Sequence, residues 1–301
     1  MIAVYFLSLY NAFLYFWDVF PMKFFAVNSL SHSGSTILSI SLASHDKLIS
    51  LGEIFQILRD PAQQWIGDKD RICSCGKQAA DCELWGPALR KISADIPTTK
   101  NRHDNIELKY QIVLKHFQDL YGEDKFAVDT SKGERHLELI SKDDVLDPNV
   151  FFLIRDVRSY ANSQQSNALK QNRKGIKKLK SKAWFQFLKW YFNNKKRLKA
   201  LRKSNIPYIK VGYEEFCFNT DLVLAKLCKF AKISEDLENS TIQDSTHHIL
   251  YGNRMRLDKS KQQSIKYDSK WFENNSLNFA AGIFPFIMKF NKKNVYSNID
   301  K

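Results

Sequence analysis

Three short runs along the chain, 24–27, 126–128 and 150–154, are continuously apolar rather than alternating, and a fourth, 208–211, is apolar but for Lys210. A strand exposed on one face shows a polar residue at every second position, so unbroken runs predict strands buried on both faces, as in a parallel sheet. Each run precedes apolar residues at helical spacing, at 35–44, 135–140, 158–169 and 222–231, which makes a repeated strand–helix unit. Further helices are predicted over 51–65 and 184–201, and the last fifty residues hold an irregular basic stretch followed by the segment 271–290. The fold class is α/β, three αβα layers around a central parallel sheet. No Pro/Gly/Ser-rich linker or internal repeat divides the chain, so residues 22–301 read as a single domain.

The segment 2–20 is largely apolar but is broken by Ser8, Asn11 and Asp18 and has no basic residue before it, unlike a signal peptide. The first core strand begins at Phe24 with no stem, and Met22-Lys23 would suit the start of a soluble enzyme. Residues 1–21 are therefore read as an extension, with a short membrane anchor through residues 1–20 as the alternative. A cytoplasmic location is expected, with membrane association following from that anchor.

Charge changes the picture. Residues 170–203 contain fourteen Lys or Arg and no Asp or Glu, which equals the net charge of +14 for the whole chain. Such a run is either a solvated helix face or an electrostatic attractor for an anionic partner. Its aromatic residues, Trp184, Phe185, Phe187, Trp190, Tyr191 and Phe192, are too dense for a wholly polar helix and mark a core-facing side. Cysteine usage does not settle the compartment: Cys73, Cys75 and Cys82 form a C-x-C-x6-C cluster, with Cys217 and Cys228 far downstream. Three thiols without an adjacent His or fourth Cys favour a compact thiol-rich loop over a metal site. His247-His248 lacks further ligands at suitable spacing, and the expectation is that no metal is required.

Two strand ends carry groups suited to phosphate. After 24–27 come Ser31, His32, Ser33, Gly34, Ser35 and Thr36, which put a Gly and several hydroxyls at a helix amino terminus, where free N–H groups and the helix dipole favour an anion. This turn lacks the Lys of a nucleotide triphosphate loop. After 150–154 come Arg155, Asp156, Val157 and Arg158, with Ser163 beyond. In an open parallel sheet both turns open on the same carboxyl edge. Two anion sites on one edge suggest a nucleotide phosphorylated at both ends.

The ordered set Ser33-Gly34-Ser35-Thr36, Leu51-Gly52-Glu53, Cys73-Ser74-Cys75-Gly76, Asp129-Thr130-Ser131-Lys132, Arg155 with Ser163, Tyr213-Glu214-Glu215-Phe216 and Gly252-Asn253-Arg254-Met255-Arg256 resembles the family of sulfotransferases that use PAPS, 3′-phosphoadenosine 5′-phosphosulfate. The resemblance spans roughly 23–271 and implies a P-loop-like sulfotransferase fold. It implies that Ser33, Gly34, Ser35 and Thr36 wrap the 5′-phosphosulfate and that Arg155 and Ser163 hold the 3′-phosphate. Lys132 would stabilise the bridging oxygen, and Glu53 would be the catalytic base, with His45 and His136 behind it. Many members carry Lys or Arg where this chain has His32, so His32 or Lys132 would supply the cation. Gly252, Arg254 and Arg256 would belong to a flexible loop closing over the nucleotide.

The resemblance implies sulfuryl transfer to a hydroxyl, expected on a carbohydrate or glycolipid because a basic wall suits an anionic polymer; protein tyrosine is second. Residues 56–125 and 167–182 would form the acceptor walls. The rival readings are a P-loop kinase using ATP and magnesium, and a non-catalytic basic module binding nucleic acid or anionic membrane. Nucleic acid is not expected as a partner of the enzyme.

Overall fold

A computed structural model describes residues 21–172, 174–235, 247–262, 265 and 267–296. The apolar segment 2–20 lies outside the described residues. One five-stranded sheet carries the fold: β1 (Met22–Ser29), β2 (Leu48–Gly52), β3 (Phe126–Asp129), β4 (Leu146–Ile154) and β5 (Tyr208–Gly212), in the order β2-β3-β1-β4-β5. All four pairings are parallel.

The apolar runs of β1 and β4 have the burial they predicted, whereas in the edge strand β5 Tyr208, Ile209 and Lys210 are only half-buried. Along β1, Phe24 and Ala26 enter one core and Phe25 and Val27 the other; along β4, Phe152 and Ile154 oppose Phe151 and Leu153 in the same way. The helix Ser35–Leu42 and the helix Thr220–Ala231 cover the second face, supplying Ile37, Leu38, Val223, Leu224 and Leu227. The helices Trp85–Asp95, Ile106–Tyr121 and Ala183–Lys203 cover the first, through Trp85, Tyr110, Phe117, Phe187 and Trp190 among others. Each buried large side chain contributes about 1.5–3 kcal/mol over its exposed state, which favours two covered faces over one.

Two expectations need correction. The span 51–65 is not one helix: β2 runs through Gly52, a short helix covers Ile54–Leu58, and a second covers Ala62–Gly67 after Pro61. Pro61 has no N–H for a helical bond, so a continuous helix cannot cross it. β2 was hidden because its sequence, Leu48 to Gly52, is only five residues and runs straight into the apolar helix that follows. In the basic helix the aromatics divide by face: Phe187 and Trp190 are buried, whereas Trp184 and Phe192 are exposed.

In this order the chain leaves β1 towards β2 and leaves β4 towards β5, so the connections diverge beside β1. The crevice at such a divergence, outside the carboxyl ends of the strands, is where α/β sheets bind ligands. Among the described residues no helix is long and apolar enough to cross a membrane.

Candidate active site at the carboxyl edge of the sheet

β1 ends at Ser29, and the chain turns through residues 30–34 into the helix Ser35–Leu42. His32 and Gly34 both have positive φ, 68° and 94°. Gly34 is required twice over: a Cβ there would be strained by that φ and would sit 2.4 Å from the Tyr213 ring. The first N–H groups of the helix have no intrahelical acceptor and open into the turn. His32, Gly34, Ser35, Thr36, Glu53 and Lys132 line one pocket of about 200 Å³, together with Asn253 and Met255.

The second turn meets the first directly. Arg155, buried at the end of β4, donates from Nη1 to the carbonyl of His32 at 3.0 Å and from Nε to Ser159 Oγ at 2.7 Å. Its guanidinium lies 4.7 Å from the centre of the Tyr213 ring. Two of its five N–H donors are spent on these bonds, which fix the plane of the fork. Ser159 and Ser163 follow Arg155 at successive four-residue steps, so they share a face of the helix Val157–Lys170. Gln164 of that helix adds a bond to the Ser31 carbonyl at 3.3 Å. Ser159 and Tyr213 were missed as positioning groups: Ser159 reads as an ordinary helix residue, and Tyr213 lies 58 residues beyond Arg155 in sequence.

Asp156 is buried and organises the same turn. Its carboxylate accepts from the Arg158 N–H at 2.8 Å, from Asn291 Nδ2 at 2.7 Å and from the Tyr296 hydroxyl at 2.8 Å, and it pairs with the Arg158 guanidinium. Burial alone would raise this carboxyl, but Arg158, Asn291 and Tyr296 together hold it below the usual range.

Glu53 and Lys132 come together as a mostly buried ion pair on the wall of the pocket. Glu53 precedes the helix Ile54–Leu58, but its side chain does not cap that helix. Both residues are aimed by Asp129 at the end of β3. Asp129 Oδ1 accepts the N–H of Ile54 at 3.1 Å and of Ser131 at 2.8 Å, Oδ2 accepts the Tyr110 hydroxyl at 2.7 Å, and Ser131 Oγ accepts the Phe55 N–H at 2.8 Å. Burial pushes the Asp129 carboxyl up, and His136, Ser131 and Tyr110 more than reverse that shift. His136, one of the alternative bases, is fully buried 3.0 Å from Asp129, and His45 is buried against the Ser234 carbonyl at 2.9 Å. Neither lines the pocket.

The segment 247–257 closes the edge. His248 donates its N–H to Ser50 at 2.9 Å, and the Tyr251 carbonyl accepts the Glu53 N–H at 3.2 Å. Gly52 has φ of 76°, and a Cβ there would meet the Tyr251 carbonyl at 2.6 Å, so the close approach depends on glycine. Gly252 follows with φ of 145°, and Arg254 is exposed at the head of a 3-10 turn capped by Asn253. Arg256 does not line the pocket: its guanidinium donates to the carbonyls of Ile72, at 2.5 Å, and Ile249, at 3.2 Å.

No protein-family model and no curated protein sequence matches the chain. Among solved structures it is similar to a domain from the curacin biosynthetic pathway, at 15% identity and TM-score 0.45, covering 88% of this chain and 98% of that one. A domain of the Synechococcus PCC 7002 olefin synthase matches at 16% identity and TM-score 0.47, covering 88% and 95%. A protein from Alicyclobacillus acidocaldarius matches at 12% identity and TM-score 0.40, covering 89% and 96%. All three are described as sulfotransferases or sulfotransferase domains.

The expectation about metal rested on the lack of a fourth ligand, and beside this edge the fold brings one near the cysteines. The cysteine cluster has a fourth potential ligand in sequence-distant His248, whose Nδ1 lies 3.2 Å from Cys82 Sγ. His248 stands 166 positions from Cys82, so no local spacing rule could link them.

Proposed function

We propose that the protein transfers a sulfuryl group from 3′-phosphoadenosine 5′-phosphosulfate to a hydroxyl acceptor and releases 3′-phosphoadenosine 5′-phosphate. The observation that carries this reading is the bond from Arg155 to the His32 carbonyl, which joins the two anion-binding turns into one double site. A nucleotide with phosphate at both ends has the matching chemistry. The N–H groups and hydroxyls of residues 33–36 receive the 5′-phosphosulfate. The remaining donors of Arg155, with Ser163, receive the 3′-phosphate, and Gly252, Arg254 and Arg256 belong to the segment that closes over it.

Sulfuryl transfer breaks the S–O bond to the bridging oxygen and forms one to the acceptor oxygen, with charge developing on the oxygen that leaves. Lys132 places an ammonium where that charge appears, and His32, when protonated, adds a second cation on the same wall. Glu53 accepts the acceptor hydroxyl's proton, and its pairing with Lys132 keeps the carboxylate at the pocket. The step works by position and electrostatics and draws on no metal at this pocket.

The acceptor we favour is an anionic carbohydrate or glycolipid. A cleft of about 1160 Å³ is lined by Lys174, Lys177, Lys180 and Lys189 with Ile176 and Phe185, which suits a negatively charged chain with apolar ring faces.

Calorimetric titration of the full chain with 3′-phosphoadenosine 5′-phosphate, adenosine 5′-phosphate and ATP with magnesium tests the donor site. Tight binding of the first alone, lost in a folded Arg155→Ala variant, is the expected result. Equal binding of all three, or binding that tracks magnesium, overturns it.

A further inference from the structure

Cys73, Cys75, Cys82 and His248 bring one ligand atom each into a cluster whose members all lie within 4.8 Å of one another. We propose that these four residues bind a structural zinc ion, tying the loop after residue 71 to the segment that closes the candidate active site.

The distances have the scale of a tetrahedral site. With zinc–sulfur bonds of about 2.3 Å and a zinc–nitrogen bond of about 2.0–2.1 Å, neighbouring sulfurs stand about 3.8 Å apart and sulfur and nitrogen about 3.6 Å. The sulfurs of Cys82 and Cys73 are 3.7 Å apart, those of Cys75 and Cys82 are 3.8 Å apart, and Cys82 Sγ is 3.2 Å from His248 Nδ1. A disulfide would need sulfurs at about 2.05 Å, and all three thiols are free.

The surroundings match a thiolate-rich site. Gly76, with φ of 86°, forms the tight turn that lets the first two cysteines converge. The ring nitrogen of His248 that faces away from the sulfurs, Nε2, sits 2.5 Å from the Tyr121 hydroxyl and 3.4 Å from a Glu83 carboxylate oxygen, which sets Nδ1 as the ligand. Three thiolates and a neutral imidazole leave a zinc complex with one net negative charge. Arg256, held on the carbonyls of Ile72 and Ile249 and close enough to Cys73 to interact electrostatically with it, offsets that charge.

Four protein ligands close the coordination sphere, so the ion is structural. The ion would reinforce contacts already present between the two segments: Ser74 N–H to the Ile249 carbonyl at 3.1 Å, Ile249 N–H to Ser74 Oγ at 2.8 Å, and Trp85 Nε1 to the His248 carbonyl at 2.5 Å. Beyond that seam, the Tyr251 carbonyl holds Glu53, and Asn253 and Met255 line the pocket.

The test is metal analysis of the full chain purified with its thiols reduced, followed by exchange of zinc for cobalt(II). About one equivalent of zinc per chain is expected, and cobalt is expected to give the strong visible absorption of tetrahedral thiolate coordination. His248→Ala weakens and shifts those bands, and Cys217→Ser leaves them unchanged. Folded, reduced wild-type chain that takes up neither ion, or a disulfide among the three cysteines in that chain, overturns the proposal. The wild-type cobalt titration decides even if the His248 variant does not fold, and none of these readouts depends on the nucleotide.

Discussion

The Tyr213 ring lies under the Arg155 guanidinium, 4.7 Å from ring centre to Cζ, while its edge blocks any side chain at Gly34. One residue just past the end of β5 therefore spaces the two turns that follow β1 and β4 against each other. Replacing Tyr213 with Leu removes the stacking surface, and affinity for 3′-phosphoadenosine 5′-phosphate is expected to fall by roughly five- to thirtyfold, the equivalent of about 1–2 kcal/mol. Tyr213→Phe keeps the ring and should stay close to wild type. Calorimetry on both variants separates the ring from the hydroxyl.

Gly34→Ala is expected to destabilise the protein by about 1–3 kcal/mol through the left-handed backbone alone. The collision with Tyr213 adds to that cost and shifts the loop, so nucleotide binding weakens as well. Thermal unfolding with and without nucleotide measures both effects.

Glu53 and Lys132 should show different losses from the same wall. If Glu53 takes the acceptor's proton as proposed, Glu53→Gln lowers turnover by about 10²–10⁴-fold while leaving nucleotide affinity close to wild type. Lys132→Ala lowers turnover and, without its partner, leaves Glu53 a partly buried unpaired carboxylate. The double variant is therefore expected to lose less than the sum of the two singles, which a double-mutant cycle on turnover would detect.

Glu214 makes stability depend on pH in a definite direction. Burial, and next the charge of Asp156, push this carboxyl up to about 8, while one oxygen accepts the Asp156 N–H at 2.9 Å. Between the ordinary carboxylate value and about 8 the folded chain keeps a proton that the unfolded chain has lost. The stabilisation is complete below the unfolded value and disappears as pH rises through about 8. Asp156, held below its usual range, acts only at the acidic end. Denaturant unfolding across this pH range should show the decline, and Glu214→Gln should flatten it.

Much of the framework was legible in order along the chain. Strands β1, β3 and β4 announced themselves because burial on both faces leaves little room for alternation, β5 by a short run broken only by Lys210, and the Gly34 turn because a helix start rich in hydroxyls has a local signature. The basic helix was also visible, as were the aromatics that anchor one side of it. Strand β2 was lost because five apolar residues leading into an apolar helix carry no period of their own. Glu53 and Lys132 were legible as separate candidates, but their pairing was not, since it depends on the adjacency of β2 and β3.

The local chemistry was thus determined by sequence: which turns can hold an anion, which strands are buried, and where cysteines cluster. Tertiary structure decided which distant groups meet. Arg155 reaches the His32 carbonyl across 123 positions, and His248 reaches Cys82 across 166. A parallel sheet must return each strand through a long crossover, so residues adjacent at its carboxyl edge are necessarily remote in the chain. Spacing rules read along the sequence register contacts within a turn or a helix, whereas the Arg155–His32 and Cys82–His248 contacts join segments far apart in the chain.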